Sequence, residues 1–190
     1  MSRFSMFQEV VHARVEASRW IEEYWEKYSN IDTSGFWICV VLFFVPLLVL
    51  YRLLDRKRVF EVGFYGFAVH AITLYVDAYG VKEGLWGYPY MIAPKVVASL
   101  VLDSSLIPVA FMLIYQYTFH KPARFYMWSL AGTIAFSFLL KPILRLSGLF
   151  WMSADMNYFK LFGFYLLDIA LAIVIVKVFH QAARQKKQPD

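Results

Sequence analysis

The chain has a single cysteine, Cys39, and it falls inside an apolar run. An intrachain disulfide is therefore excluded, as is a metal centre built on cysteine pairs. Charge is sparse too: Asp, Glu, Lys and Arg make up only 17% of the residues, where soluble domains carry about 25%. No Gly-rich phosphate cradle, Gly-x-Ser-x-Gly elbow, His/Cys/Glu set at metal spacing or Arg-rich voltage-sensing run is present. These gaps count against the familiar ATPases, serine hydrolases, metal hydrolases and voltage-gated channels, and the expectation is no metal and no cofactor. A net charge of +5 does not point to nucleic acid, because the basic residues sit in short clusters at the ends of apolar runs, where the cytoplasmic leaflet attracts them. Residues 1–28 lack the basic, apolar and small-residue order of a cleavable leader, so the first span is expected to act as its own insertion signal.

What the chain does have is grease. Apolar residues make up 60% and aromatics 19%, which reads as one integral membrane unit. In residues 4–30, Phe7, Val10, Ala13, Ala17, Trp20, Ile21, Tyr24, Trp25 and Tyr28 recur at spacings of three and four among charged residues. That pattern predicts an amphipathic helix whose Trp and Tyr rings suit a membrane interface. A cytosolic helix packed on a partner protein is the alternative. Asp32, Thr33 and Ser34 offer caps for the helix that follows.

Five apolar stretches come next, at residues 35–54, 60–79, 95–119, 125–146 and 158–179. Each is near the roughly 20 residues that a 30 Å hydrocarbon core requires. Basic clusters follow the first (Arg52, Arg56, Lys57, Arg58), the third (His120, Lys121, Arg124) and the fifth (Lys177 to Lys187). The expected protein is all-α: an interfacial amphipathic helix over 1–34, a bundle of five transmembrane helices over 35–181 and a basic cytoplasmic tail over 182–190. The expected location is the cell membrane, with the N-terminus outside and the C-terminus in the cytoplasm. Membrane lipids are the expected partners, and a homo-oligomer or a membrane partner protein is left open. Gly63, Gly66, Gly132 and Gly148 are read as points of close helix approach, and Pro46, Pro108 and Pro142 as kinks.

Ionisable residues within these spans are costly and mark a candidate site. At 1.5 Å per residue, Asp103 lies about 12 Å below the outer surface and Lys141 about 7 to 8 Å below it. His70, Asp77, Asp103, Lys141, Arg145 and Asp168 are therefore expected to line a polar cavity open to the outside. Trp86, Tyr88 and Tyr90 of the aromatic loop at 80–94 would lie at its mouth. Buried Asp–Lys or Asp–Arg pairs that only fix helix register, joined by Ser104, Ser105, Ser137 and Ser147, are the competing reading. The favoured expectation is a protein that binds or passes a small molecule, lipid or ion through this cavity; a membrane-embedded enzyme acting on a lipid and a structural or partner-binding subunit are the alternatives, so whether the protein is an enzyme stays open.

The order Asp77, Gly84-Leu85, Tyr88-Pro89, Pro94, Asp103, Pro108 and Tyr115-Gln116 resembles a family of small, functionally uncharacterised multi-pass membrane proteins of spore-forming Gram-positive bacteria. The resemblance spans about residues 40–180. It implies a bacterial cytoplasmic membrane and a role in sporulating cells, but no activity. Asp77, Gly84, Leu85, Trp86 and Tyr88 are also loosely similar to the lycopene-cyclase type membrane domain. That likeness implies acid-driven chemistry on an isoprenoid-like lipid as the runner-up. The Pro-x-Glu-Glu motif of that family is missing here, and Asp103 stands before Pro108 without a second acid beside it.

Overall fold

The computed structural model describes residues 2–96 and 99–185. Residues 186–190, most of the expected tail, lie outside the described residues. Six helices account for nearly all of the regular structure: α1 (Arg3–Tyr28), α2 (Ser34–Leu53), α3 (Val59–Lys82), α4, α5 (Pro122–Leu146) and α6 (Tyr158–Gln185). Helix α4 is helical from Leu100, passes through a π-helical turn, Leu102–Leu106, and continues as Ile107–Tyr117. A second π turn, Phe136–Leu140, interrupts α5.

Four helical segments are long and apolar enough to cross a membrane: Ser34–Leu53, Arg56–Lys82, Pro122–Leu146 and Tyr158–Ala183. Only 11% of the α2 window is buried, so most of this helix presents apolar side chains such as Trp37, Phe44 and Leu48 outward, as a lipid-facing helix does. The stretch expected to span 95–119 is shorter than that. From Leu100 to Tyr117, α4 covers eighteen residues, or about 27 Å. Lys95, Val96 and Ser99 are not helical, and the Ser99 N–H is donated to the Asp77 carboxylate instead of to a helical carbonyl.

Helices α2 to α6 run alternately up and down, so the bundle has two distinct ends. At one end, Asp55 and Leu53 hydrogen-bond to Gln116, Arg58 lies over the Phe119 ring at 4.1 Å, and His180 meets Glu61 at 3.6 Å. All the described basic clusters gather there. At the other end, α3 and α5 finish in the same way. Gly84 (φ 65°) and Gly148 (φ 71°) take left-handed conformations. Leu85 N–H then bonds back to Gly80, and Leu149 N–H to Leu144. Glycine adopts this helix stop without a Cβ penalty. The two exits continue into strands β1 (Trp86–Gly87) and β2 (Trp151–Met152), which pair antiparallel, Trp86 opposite Met152.

Helix α1 forms where the periodicity placed it, with Ser2 capping Ser5 N–H. No α1 residue is buried. Its last turns are tied to the loop after β1: Trp25 Nε1 donates to the Met91 carbonyl at 2.9 Å, and Ser29 Oγ accepts from Met91 N–H at 2.9 Å. Glu22 and Lys95 pair at 3.1 Å in solvent, a contact worth little by itself.

The glycine expectations hold only in part. A Cβ at Gly66 would meet Met112 at 2.2 Å, but Gly63 has open space around it, and Gly148 serves the turn just described. The tightest approaches are elsewhere, at Gly35 under the Tyr90 ring (2.3 Å) and Gly80 under the Trp86 ring (1.9 Å).

Candidate functional site

Each π turn sits one turn ahead of a proline, and this determines the local chemistry. In α4, Ile107 N–H bonds to the Leu102 carbonyl. Pro108 has no N–H to offer, which leaves the Asp103 carbonyl without a helical donor. His70 on α3 fills the gap, with Nδ1 2.7 Å from that carbonyl oxygen. A carbonyl only accepts, so Nδ1 carries the proton. His70 thus patches the α4 backbone and is not among the residues that line the cavity below. In α5, Lys141 N–H bonds to Phe136 and Pro142 follows, by the same geometry. The inserted residue in each helix re-aims the side chains around it, and here those are Asp103 and Lys141.

Asp77, in the last two turns of α3, is buried and fully engaged. Its Oδ1 accepts from Trp86 Nε1 at 2.8 Å and from Tyr88 Oη at 2.5 Å, and its Oδ2 accepts from Ser99 N–H at 3.1 Å. Burial, and then the adjacent Asp77 carboxylate, push the Tyr88 hydroxyl well above the usual phenol range, so it holds its proton and donates. Lys141 Nζ donates to the same Tyr88 oxygen at 3.1 Å and lies 3.9 Å from the Phe150 ring centre. Among the described residues no carboxylate oxygen comes within 4.0 Å of it. Lys141 and the carboxyl groups therefore meet through Tyr88 and not by a direct pair.

Asp103 and Asp168 are 2% and 3% exposed, and one oxygen of each, Asp103 Oδ2 and Asp168 Oδ1, has no hydrogen-bond partner among the described residues. With Asp77, Lys141, Thr73 and Tyr165 they line a cavity of about 20 Å³, which has room for about one water molecule. Among the described residues no group of three or more His, Cys, Asp or Glu side chains converges as metal ligands do.

The structure thus gathers Asp77, Asp103, Lys141, Asp168, Trp86 and Tyr88. It leaves out Arg145, which is exposed in the last turn of α5, beyond the edge of the cluster. Tyr90 is likewise apart, lying over Gly35 of α2 and accepting from Cys39 Sγ through its carbonyl. Thr73, Tyr165 and Ser99 were not anticipated. Thr73 is four residues before Asp77 and Tyr165 three before Asp168, and that helical spacing was the available signal. Of the serines, Ser105 does bridge helices, donating to the Phe43 carbonyl at 2.6 Å in the turn before Pro46, whereas Ser137 and Ser147 bond within their own helix.

Gly80→Ala tests how tightly this end is built. The new methyl collides with the Trp86 ring, which leaves its place on Asp77, and a loss of about 1 to 3 kcal/mol in unfolding free energy is expected. A thermal melt in detergent checks it, and an unchanged midpoint would show that Trp86 does not depend on this contact.

The fold and its cluster define an α-helical membrane protein with a closed carboxyl–lysine–tyrosine network at one end of the bundle. Comparison with protein-family models, curated proteins and solved structures finds no match to this chain in any of the three.

Proposed function

We propose that this is an ion-handling membrane protein and that its ion is the proton, held in the Asp77–Asp103–Asp168–Lys141 cluster. One observation carries this reading: two buried carboxyl oxygens without partners among the described residues belong to side chains that line a cavity of about 20 Å³. Small organic ligands and lipids need pockets of about 300 Å³ or more, so size favours the smallest of the expected cargoes. Charge favours it as well. Three carboxyl groups and one amine reach neutrality only with two further positive charges, and protons supply them without any enlargement of the site. Tyr88, bonded to both Asp77 and Lys141, is placed to relay between them.

Within this proposal α4 is the fifth crossing. It is screened from lipid by α2 and α3, which lets a short helix with an irregular start be tolerated. The basic end faces the cytoplasm and the β1–β2 end the outside, with α1 along the outer leaflet. The resemblance to the spore-former family would make the membrane bacterial and the setting sporulation.

Infrared titration of the reconstituted protein tests the proposal. A protonated-carboxyl C=O band is expected that shifts with pH and loses intensity in Asp103→Asn and again in Asp168→Asn. If no such band responds to either substitution, the proton reading fails. Quenching of a pH dye trapped in proteoliposomes then separates passage from binding: Asp168→Asn should slow proton entry to the rate of protein-free vesicles if protons pass.

A further inference from the structure

A cavity at the opposite, basic end plays no part in the cluster. It has a volume of about 630 Å³ and is walled by α3 (Glu61, Tyr65), the α4–α5 turn (His120, Lys121), α5 (Phe125, Tyr126) and α6 (Ile173, Lys177, His180). A second hollow of about 270 Å³ shares Tyr126 and Ile173 with it and runs on between α5 and α6, past Leu130, Leu166, Ile169 and Ala170. Together they form one channel along the bundle, polar and basic at its end and apolar along its length. Lys121, Lys177, His120 and His180 are exposed at the polar end, and Glu61 opposes them, occupied by Tyr115 at 2.8 Å and His180 at 3.6 Å.

Two further side chains mark the join between the hollows. Tyr65 in the wall of the first and Ser129 in the wall of the second are neighbours, 1% and 4% exposed, and their hydroxyls are buried beside each other, away from the open space. A glycerophospholipid matches the order of the two hollows, with its phosphate at the basic end and an acyl chain along the apolar groove.

We infer that this channel is a specific site for one anionic phospholipid drawn from the leaflet at the basic end. Its phosphate sits on Lys121 and Lys177, and one acyl chain lies in the α5–α6 groove. Charge complementarity selects the anionic headgroup, and the apolar groove, open to the lipid side, selects a lipid over free phosphate. The inference rests on residues outside the carboxyl cluster and stands or falls independently of the proton reading.

Native mass spectrometry of the full chain, released from mixed phosphatidylglycerol and phosphatidylcholine micelles, provides the test. The wild type should retain one phosphatidylglycerol in preference to phosphatidylcholine. Lys121→Gln and Lys177→Gln should each reduce that preference about five-fold, and Ala170→Phe, which fills the groove from a position that is exposed in the protein, should abolish retention at an unchanged melting temperature. Arg56→Gln with Lys57→Gln, at the same end but outside the channel, should leave retention intact. Equal loss in this control would reduce the effect to general surface charge and overturn the inference. So would full retention by Ala170→Phe, or equal retention of the two lipids by the wild type.

Discussion

Asp77→Ala should lower the thermal midpoint by about 10 °C, because a loss of about 3 to 5 kcal/mol is converted at about 2 to 4 °C per kcal/mol for a chain of this size. The size of the effect follows from what the carboxylate does. Asp77 is 7% exposed and accepts from three donors that belong to two different segments: the Trp86 indole and Tyr88 hydroxyl of the β1 loop, and the Ser99 backbone at the entry to α4. When it is removed, each donor is left buried without an acceptor, at about 1 to 3 kcal/mol apiece before relaxation. The Tyr88 hydroxyl can rotate to another partner, but the indole N–H and the backbone N–H cannot, so relaxation recovers only part of the loss.

Asp77→Asn separates hydrogen bonding from charge. The amide keeps one oxygen for Trp86 and Tyr88, but it turns its NH₂ towards the Ser99 N–H, donor against donor. About half the Ala effect is expected. Limited proteolysis between β1 and α4 should rank the proteins in the same order, Ala cut fastest, then Asn, then wild type. If the Asn variant were as unstable as Ala, the charge and not the hydrogen bonds would be holding the loop. If Ala melted with the wild type, Asp77 would not be a staple at all.

Much of this was legible from residue order alone, and the parts that were not have physical reasons. Apolar runs announce lipid-facing helices, and α2, α3, α5 and α6 lie close to their expected limits. Depth arithmetic put Asp77, Asp103, Lys141 and Asp168 at compatible heights. It carries no information about the radial position of a side chain, which is why Arg145 was included although it points out of the bundle at the end of α5. The π turns have no hydropathy signature; they follow from Pro108 and Pro142, whose missing N–H groups the helix accommodates by inserting a residue instead of simply kinking. For the same reason His70 read as a titratable cavity group when its geometry is that of a backbone patch. Close approach of glycine depends on the partner ring, and no local pattern at Gly80 indicates that Trp86 folds back on it. The basic-end channel draws its walls from three stretches far apart in sequence, so it could emerge only once the bundle was assembled.

Lys141→Met is expected to cost about 3 to 5 kcal/mol, and the pattern of its rescue is the more informative result. Lys141 is 2% exposed, and it is the one cation lining the cavity among the described residues. Methionine matches its length and packs against Phe150 without difficulty, so the loss reports charge and not volume. Three carboxyl groups then share the site with no amine to offset them. Asp103→Asn in the same chain removes one of them at a position whose Oδ2 has no partner to lose, and about 1 to 3 kcal/mol of coupling should return. Asp77→Asn should not rescue, because it gives up hydrogen bonds that the loop requires. Lys141→Arg should not rescue either: a planar guanidinium does not fit where Nζ lies 3.9 Å from the Phe150 ring centre and 3.1 Å from the Tyr88 oxygen. The readout is a double-mutant cycle on unfolding in detergent. Additive losses for Lys141→Met and Asp103→Asn would mean that the two groups do not sense each other, and equal rescue by Asp77→Asn would mean that the network responds to total charge alone. The expected asymmetry between Asp103 and Asp77 is specific to a cluster in which one carboxyl is fully bonded and its neighbour keeps a buried oxygen without a partner among the described residues.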